Sequence, residues 1–309
     1  MKSFRVWILA VAVIGLLGGG ALIVAGMSSD EPATASVTGG PLPQSAAPRV
    51  SVKPTPTGPT AAQRAAANRA KQVKALDAAL KTLGGSTPDF SVAVYDRKTG
   101  QRYAWRGTVK FDTASIVKTQ ILACMLLKAQ DAGRQPTSAE MTLAKPMIRL
   151  SDNNATTSLY QRLGGKSAIT KCNKRMGMTQ TVVNSSWGLT RTTAADQIVL
   201  LESLVNPKGP LNASSRKTAF TLMNTVDKAQ DWGVPVLART GETSIVKNGW
   251  DTRSADGGLW AVNTIGRITS KDGRVDVSVA VLSHNNSNQQ AGMNLVEKIA
   301  KLTRQHLRY

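Results

Sequence analysis

A serine and a lysine lie three residues apart in the stretch "FDTASIVKTQILACMLLKAQ", which covers positions 111 to 130. Residues at i and i+3 share one face of a helix. Ser115 in the first turn would therefore place its hydroxyl near the amine of Lys118 and near the free backbone N–H groups of the helix start. A lysine that is removed from water, or that lies close to another cation, loses its proton more readily and can then accept the serine proton. The pair predicts an activated serine nucleophile.

The spacing alone is a weak signal, because Ser and Lys are common and the sequence also holds the pairs Ser214/Lys217 and Ser244/Lys247. Context separates them. Ser115 opens a long apolar segment, whereas Ser214 lies in the polar stretch "NASSRK", which is typical of an exposed helix start. We expect the pair Ser115/Lys118 to be buried and the pair Ser214/Lys217 to be exposed.

A second polar group, Ser151-Asp152-Asn153, falls between two predicted helices in the stretch "RLSDNNATT". The triplet is rare by chance, but Ser, Asp and Asn are also the residues that most often cap helices. Two interpretations stay open, an ordinary N-cap and a hydroxyl and amide that serve the chemistry of Ser115.

A third group, Lys247-Asn248-Gly249-Trp250, ends a predicted β-branched strand just before a turn and another strand. A cation, a small hydrogen-bonding residue and a glycine on a strand edge would let an extended substrate pair with the backbone while its carboxylate meets the amine. A strand that simply ends in a turn fits the same residues.

The elements that must position these groups follow from hydrophobic periodicity. Helices are predicted over residues 60–85, 115–129, 138–149, 154–163, 166–176, 193–205 and 291–309, a β-hairpin over 90–107, and strands over 259–269 and 275–284. This order predicts an α/β fold of the α+β sandwich type, in which the first and last pieces share one antiparallel sheet flanked by helices. The helical block would form a subdomain beside the sheet.

The N-terminus has Lys2 and Arg5 before about 22 apolar residues, a length that can span a bilayer. We expect residues 1–27 to be a signal-anchor with the rest exported, although cleavage at "ATAS" (33–36) is the alternative. Residues 28–60 are rich in Pro, Thr and Ser and predict a linker. Residues 61–309 would then form one extracytoplasmic domain.

The formal net charge is +20, which implies anionic surroundings. Nucleic acid, anionic cell-wall polymers and membrane surfaces all fit that charge, and export makes nucleic acid an unlikely partner. We expect a monomer that is held at the cell membrane, or secreted if the signal is cleaved.

Cys124 and Cys172 do not follow the apolar run, so a lipid-modified cysteine is not indicated. They could form a disulfide or remain two buried thiols. No Cys/His cluster has metal-ligand spacing, and we expect no metal and no cofactor. His284 and His306 are the two histidines, and without a G-x-S-x-G motif a Ser-His triad is not supported.

The order of the three groups, Ser-x-x-Lys, SDN and Lys-x-Gly, resembles that of class A β-lactamases and other penicillin-recognising serine enzymes. The resemblance runs from about Ala61 to the C-terminus and includes the "F-x-x-A-S-x-x-K" run that begins at Phe111. "RTG" at positions 239–241 precedes the predicted strand and is not the third motif.

The resemblance implies a division of roles. Ser115 would be the nucleophile that becomes acylated, Lys118 its base or proton relay, and Ser151 the donor of a proton to the leaving nitrogen. The backbone N–H groups of Ser115 and Trp250 would form the oxyanion hole.

Substrate binding would fall to Asn153, which would hold Lys118 and the substrate amide, and to Lys247-Asn248-Gly249-Trp250. Lys247 would orient Ser151, attract a substrate carboxylate and, as a second cation, disfavour the charge on Lys118.

The chain also departs from the class A pattern. It has no carboxylate from Met176 until Asp196, where class A β-lactamases carry the deacylating glutamate, so we expect slow turnover of β-lactams or related amides. The spacing from Ser115 to Ser151 is short, and Asn248 replaces a hydroxyl residue. The alternatives are a D-alanyl-D-alanine carboxypeptidase or transpeptidase acting on peptidoglycan, and a catalytically silent cell-wall-binding module.

Overall fold

The computed structural model describes residues 58–309, so the predicted anchor and nearly all of the predicted linker lie outside the described residues. The helices of this range are α1 (Ala61–Gly84), α2 (Val117–Asp131), α3 (Ser138–Arg149), α4 (Asn153–Leu163), α5 (Gly165–Met176), α6 (Ala194–Ser203), α7 (Ala213–Asn224) and α8 (Gln289–Leu307). The strands are β1 (Phe90–Asp96), β2 (Gln101–Trp105), β3 (Phe111–Asp112), β4 (Arg191–Thr192), β5 (Glu242–Arg253), β6 (Leu259–Ser270) and β7 (Asp276–Asn286). Between residues 58 and 309 no helix combines the length and the apolar character that a bilayer span needs.

A five-stranded antiparallel sheet, in the order β2-β1-β7-β6-β5, organises the chain. β1 pairs with β7, so the first and last pieces of the domain meet in one sheet, which confirms the predicted fold class. β5 lies at one edge and carries the Lys247 motif. β3 and β4 form a separate two-stranded ribbon.

Both faces of the sheet are buried, as β7 shows. Val277, Val279 and Val281 face one hydrophobic core, whereas Ala280 and Leu282 face a second core on the opposite side. This alternation is the period-2 geometry of a strand. The sheet therefore has two helical layers, one on each face.

Helices α1 and α8 form the first layer. Thr60 begins α1 with a capping box, and Leu76 and Leu80 of α1 share a core with Val296 and Ile299 of α8. The predicted helix over residues 60–85 is confirmed to within one residue, and α8 begins two residues before its predicted start.

Helix α2 lies at the centre of the second layer and is buried along almost its whole length. It does not begin at Ser115 as predicted, because a 3-10 turn over Ala114–Ile116 precedes it. A disulfide between Cys124 and Cys172 ties α2 to α5, so of the two alternatives for the cysteines the structure has the disulfide.

Two further elements differ from their predicted form. "NASSRK" begins a full 12-residue helix, α7, where the periodicity indicated only a helix start. β5 does not end at Trp250, because its pairing with β6 continues to Arg253, opposite Leu259. The Lys247 motif consequently lies inside an edge strand, and the residues before and after it along the chain also pair with β6.

Candidate active site

The turn that carries Ser115 is held in a strained conformation. Ala114 has φ 44°, in the left-handed region that non-glycine residues rarely adopt. The buried amide of Asn263 on β6 donates to the carbonyls of Asp112 (2.9 Å) and Thr113 (3.0 Å), just before this residue. The side-chain oxygen of Asn263, Oδ1, accepts from the backbone N–H of Ser283 on β7. The sheet therefore fixes the backbone that presents Ser115.

Gly249 allows β5 to approach this turn closely. A Cβ at position 249 would lie 2.6 Å from the backbone nitrogens of Ser115 and Ile116 and 2.8 Å from the carbonyl oxygen of Thr113. Atoms at those distances overlap, so only glycine fits without a backbone shift. Gly249 thus lets β5 lie against the Ser115 turn, and Trp250 is the next residue of that strand.

Lys118 is fully buried one turn beyond Ser115, and its amine has three close oxygen partners. Nζ donates to the carbonyl of Ser151 (2.6 Å) and to Oδ1 of Asn153 (2.8 Å), and it lies 3.1 Å from Oγ of Ser151. The Ser115 hydroxyl, which is half-buried, lies outside this hydrogen-bonded set.

Burial lowers the pKa of Lys118 to about 7, and the nearby charge of Asp152 opposes the shift. Burial also holds the pKa of Lys247 well below its ordinary range, with repulsion from Lys118 as the second cause. Of the two causes that the sequence suggested for Lys118, removal from water is the one that lowers its pKa, whereas repulsion between the amines adds to burial in lowering the pKa of Lys247. Burial therefore favours the neutral form of both amines, and the pKa of Lys118 lies near neutral pH.

The SDN triplet combines the two interpretations that its sequence left open. Asp152 is the N-cap of α4 and accepts from the backbone N–H of Ala155 at 2.7 Å. Ser151, with φ 59°, and Asn153 instead turn their side chains to Lys118. The cap fixes the start of α4 and the residues on either side of it meet the amine.

Lys247 completes the cluster from β5. Its buried amine lies 3.1 Å from Oγ of Ser151 and donates to the carbonyl of Asn248 at 2.8 Å. One hydroxyl therefore bridges two dehydrated lysines. In the pair that lacks this environment, Ser214 bonds Gln135 and Lys217 is exposed, as the sequence predicts.

The side chain of Asn248 points elsewhere. Its amide donates to the carbonyls of Gln230 (2.8 Å) and Trp232 (2.9 Å), and its oxygen is buried. The amide hydrogens of Asn248 are therefore committed to the loop before β5. Of the predicted substrate-binding side chains, those of Asn153 and Lys247 join the cluster, whereas that of Asn248 turns away. The ring of Trp250 packs against that of Trp232, with their centroids 5.8 Å apart.

A loop between α5 and α6 covers Lys118 with Trp187. The ring centroid of Trp187 lies 5.0 Å from Nζ, and its indole N–H donates to Oγ1 of Thr157 on α4. Asp196, the first carboxylate after this loop, accepts from Gln180 and Thr181 at 2.9 and 2.7 Å. The carboxylate of Asp196 therefore hydrogen-bonds the loop, and the ring of Trp187 faces the amine of Lys118.

Sequence reasoning missed Trp187, Asn263 and Arg253. Arg253 is buried at the end of β5 and donates to Asp112 and to the carbonyl of Gly188. A lone tryptophan in the polar stretch "NSSWGLT" is a signal that could have identified Trp187. Asn263 and Arg253 have no such signal, because their partners are distant along the chain.

Comparison with known proteins assigns the family. The profile of the β-lactamase enzyme family matches residues 137–307, more than half of the sequence, so the chain belongs to that family. Proteins that carry the name putative lipoprotein LppW in Mycobacterium tuberculosis and Mycobacterium bovis are 31% identical over 170 residues. That match covers 52% of this chain and 54% of each relative, so the chain spans about half the length of these curated relatives.

Solved structures agree on the fold. A β-lactamase from Xanthomonas campestris superposes with a TM-score of 0.66 at 16% identity, over 77% of this chain and 99% of its own. A class A β-lactamase representing the last common ancestor of Gram-negative bacteria superposes with a TM-score of 0.63 at 22% identity, over 74% of this chain and 99% of its own. PBP-A superposes with a TM-score of 0.65 at 18% identity, over 76% of this chain and 96% of its own. At these identities the likeness shows the β-lactamase-like fold.

The close approach at Gly249 generates a prediction. Gly249→Ala should force β5 away from the Ser115 turn, because the new methyl would overlap backbone atoms that cannot rotate aside. We expect reaction at Ser115 to fall about 100-fold, the cost of a misplacement of about 1 Å. Labelling rates with a fluorescent penicillin would measure the loss.

Gly85→Ala is the matched control, since the nearest atom to its Cβ is 3.5 Å away and φ is −72°. Equal labelling rates for the two variants would show that β5 does not need to contact the turn.

Proposed function

We propose that this protein is an exported serine hydrolase that forms an acyl-enzyme at Ser115 with β-lactams or related peptide amides. The observation that carries the proposal is the buried Lys118, with its pKa of about 7, joined through the Ser151 hydroxyl to Lys247. A purely structural role does not require two dehydrated amines around one hydroxyl, because burying a lysine is costly.

The hydrogen bonds of Lys118 support its role as the base. A neutral amine has two N–H bonds and one lone pair. The carbonyl of Ser151 and Oδ1 of Asn153 can only accept, so they take both N–H bonds. The lone pair is then available to accept a hydrogen bond from the Ser151 hydroxyl at 3.1 Å, and we propose that it takes the proton of Ser115 when that oxygen attacks, while Asn153 orients the amine.

In the proposed reaction the oxygen of Ser115 attacks the amide carbonyl as its proton passes to Lys118. The negative carbonyl oxygen is held by the backbone N–H groups of Ser115 and Trp250. The C–N bond then breaks, and Ser151 gives its proton to the leaving nitrogen while Lys118 returns one to Ser151. One donor of such an oxyanion hole is worth about 3 to 4 kcal/mol in a known serine enzyme.

Lys247 is proposed to attract a substrate carboxylate. An anion beside this buried amine favours its charged form, so binding would raise the lowered pKa and draw in a proton. Gly249 and Trp250 offer the backbone of edge strand β5 to an extended substrate. Small β-lactams and peptidoglycan peptides both combine an amide with a carboxylate.

The acyl-enzyme is proposed to turn over slowly, because the stretch in which class A β-lactamases carry their deacylating glutamate has no carboxylate here from Met176 until Asp196, and its Trp187 lies over Lys118. The same observation favours a D-alanyl-D-alanine carboxypeptidase or transpeptidase as the second candidate. A silent cell-wall-binding module is the third, and the intact lysine pair argues against it.

We also propose the cellular setting. A signal-anchor at residues 1–27 and a linker at residues 28–60 would hold the domain 61–309 outside the cytoplasm. The lipoprotein name of the mycobacterial relatives is compatible with a place at the membrane. The net charge of +20 suits contact with anionic cell-wall polymers or a membrane surface.

The first test is covalent labelling. The domain incubated with fluorescent penicillin should carry label on the peptide that contains Ser115, and Ser115→Ala should abolish it because the attacking oxygen is gone. Ser214→Ala is the matched control, since it alters the exposed Ser-x-x-Lys pair. No label in the unaltered protein at high reagent concentration would favour the silent module.

The second test is the pH dependence of labelling. The neutral form of Lys118 grows as pH rises through about 7, so the labelling rate should fall about tenfold per pH unit below that value and level off above it. In Lys118→Ala the labelling rate should fall about 100- to 10,000-fold. A rate that stays flat from about pH 5 to 8 would contradict the assignment of Lys118 as base.

The third test separates slow hydrolysis from fast turnover. Intact-mass measurements should show acyl-enzyme building up to one label per protein, with β-lactam consumed only in that first burst. Steady consumption without accumulated label would contradict slow turnover. Release of D-alanine from a D-Ala-D-Ala peptide, at a rate above that of β-lactam hydrolysis, would instead select the carboxypeptidase.

A further inference from the structure

Trp187 occupies a position that the reaction sequence outlined above does not use. Its ring covers the amine of Lys118 at 5.0 Å, and the lysine has no exposed surface. The other neighbours of that amine are polar atoms of Ser151 and Asn153. Trp187 is therefore the apolar wall of the Lys118 site.

The loop around Trp187 is fixed at several points. The indole N–H bonds Thr157 on α4, and the carbonyl of the next residue, Gly188, accepts from Arg253 at 3.1 Å and from Thr113 at 3.4 Å. Arg253 belongs to β5, and Thr113 precedes the Ser115 turn. The ring is thus held by the same elements that build the site, not by loop contacts alone.

A ring over an ammonium group has two opposing effects. The ring face attracts a cation, which favours the charged lysine, whereas removal of water disfavours it. At 5.0 Å the centroid lies near the outer end of the attractive range of about 6 Å. Burial is the largest cause of the lowered pKa of Lys118, which agrees with dehydration as the stronger effect.

We propose that Trp187 is a positioning residue that shields the amine of Lys118 from water. This inference rests on the proposed function for its catalytic meaning, but the shielding itself is a property of the folded chain. The shield would keep Lys118 available as a base at neutral pH. It would also keep water away from the Ser115 ester, where attack by water would form a carboxylic acid and break the bond to Oγ.

The experiment compares Trp187→Ala with Trp187→Phe, which keeps an aromatic wall. With lysine labelled by ¹³C, an NMR titration follows Lys118 directly, and Lys118→Met identifies its signal. We expect the midpoint to rise by at least one pH unit in Trp187→Ala and by only a few tenths in Trp187→Phe. Trp105→Ala, on the opposite sheet edge, should leave it unchanged.

Labelling with fluorescent penicillin supplies the second readout. In Trp187→Ala the pH midpoint of labelling should rise with that of Lys118, which slows labelling at pH 6 about tenfold or more, and bound label should be lost faster. A tryptophan that only stabilises the loop would lower the melting temperature and leave both midpoints in place. Trp187→Gln, whose polar side chain does not exclude water, replaces Trp187→Ala if the latter does not fold, and the same rise of the midpoint is expected.

The two hypotheses fail in different ways. An unchanged Lys118 midpoint in Trp187→Ala overturns the shield, whatever the labelling shows. A raised midpoint in a protein whose Ser115 takes no label supports the shield and rejects the proposed acyl-enzyme.

Discussion

Removal of water from two lysine amines is the constraint on which the rest of the structure depends. Lys118 and Lys247 are both buried with their amines 3.1 Å from the Ser151 hydroxyl, and each has only a few polar atoms in place of its hydration shell. Such burial lowers the pKa of both amines and prepares them for proton transfer. The helical layer around α2 and the edge of the sheet together hold that dehydrated pair.

Strain and close packing accompany this arrangement. Ala114 and Ser151 both adopt the left-handed region, which costs about 1–3 kcal/mol each for residues that are not glycine. Gly249 brings an edge strand into contact with the Ser115 turn, and Asn263 from the neighbouring strand holds the carbonyls before it. Backbone strain at Ala114, the lack of a side chain at Gly249 and the buried amide of Asn263 thus define the backbone position of Ser115.

The sequence predicted the fold class and most helices because their apolar periodicity is local. It also indicated that Lys118, Ser151 and Lys247 would meet, because their motifs follow one another in a recognisable order, but the Ser115 hydroxyl lies outside their hydrogen-bonded set. It did not reveal what covers them. Trp187 reaches Lys118 only through the path of a loop with little periodicity, and the cause of the lowered pKa depends on three-dimensional burial. Asn248 shows the converse, a motif position whose side chain the fold turns toward other partners.

The buried lysine also has a consequence for folding. An ordinary lysine titrates near 10.5, whereas Lys118 in the folded chain titrates at about 7. Between those values the unfolded chain binds more protons than the folded one, so this residue stabilises the fold progressively as the solution becomes alkaline. Below about pH 7 both states are protonated and the full penalty of dehydration remains. Mild alkali thus favours the folded state and the deprotonated amine together.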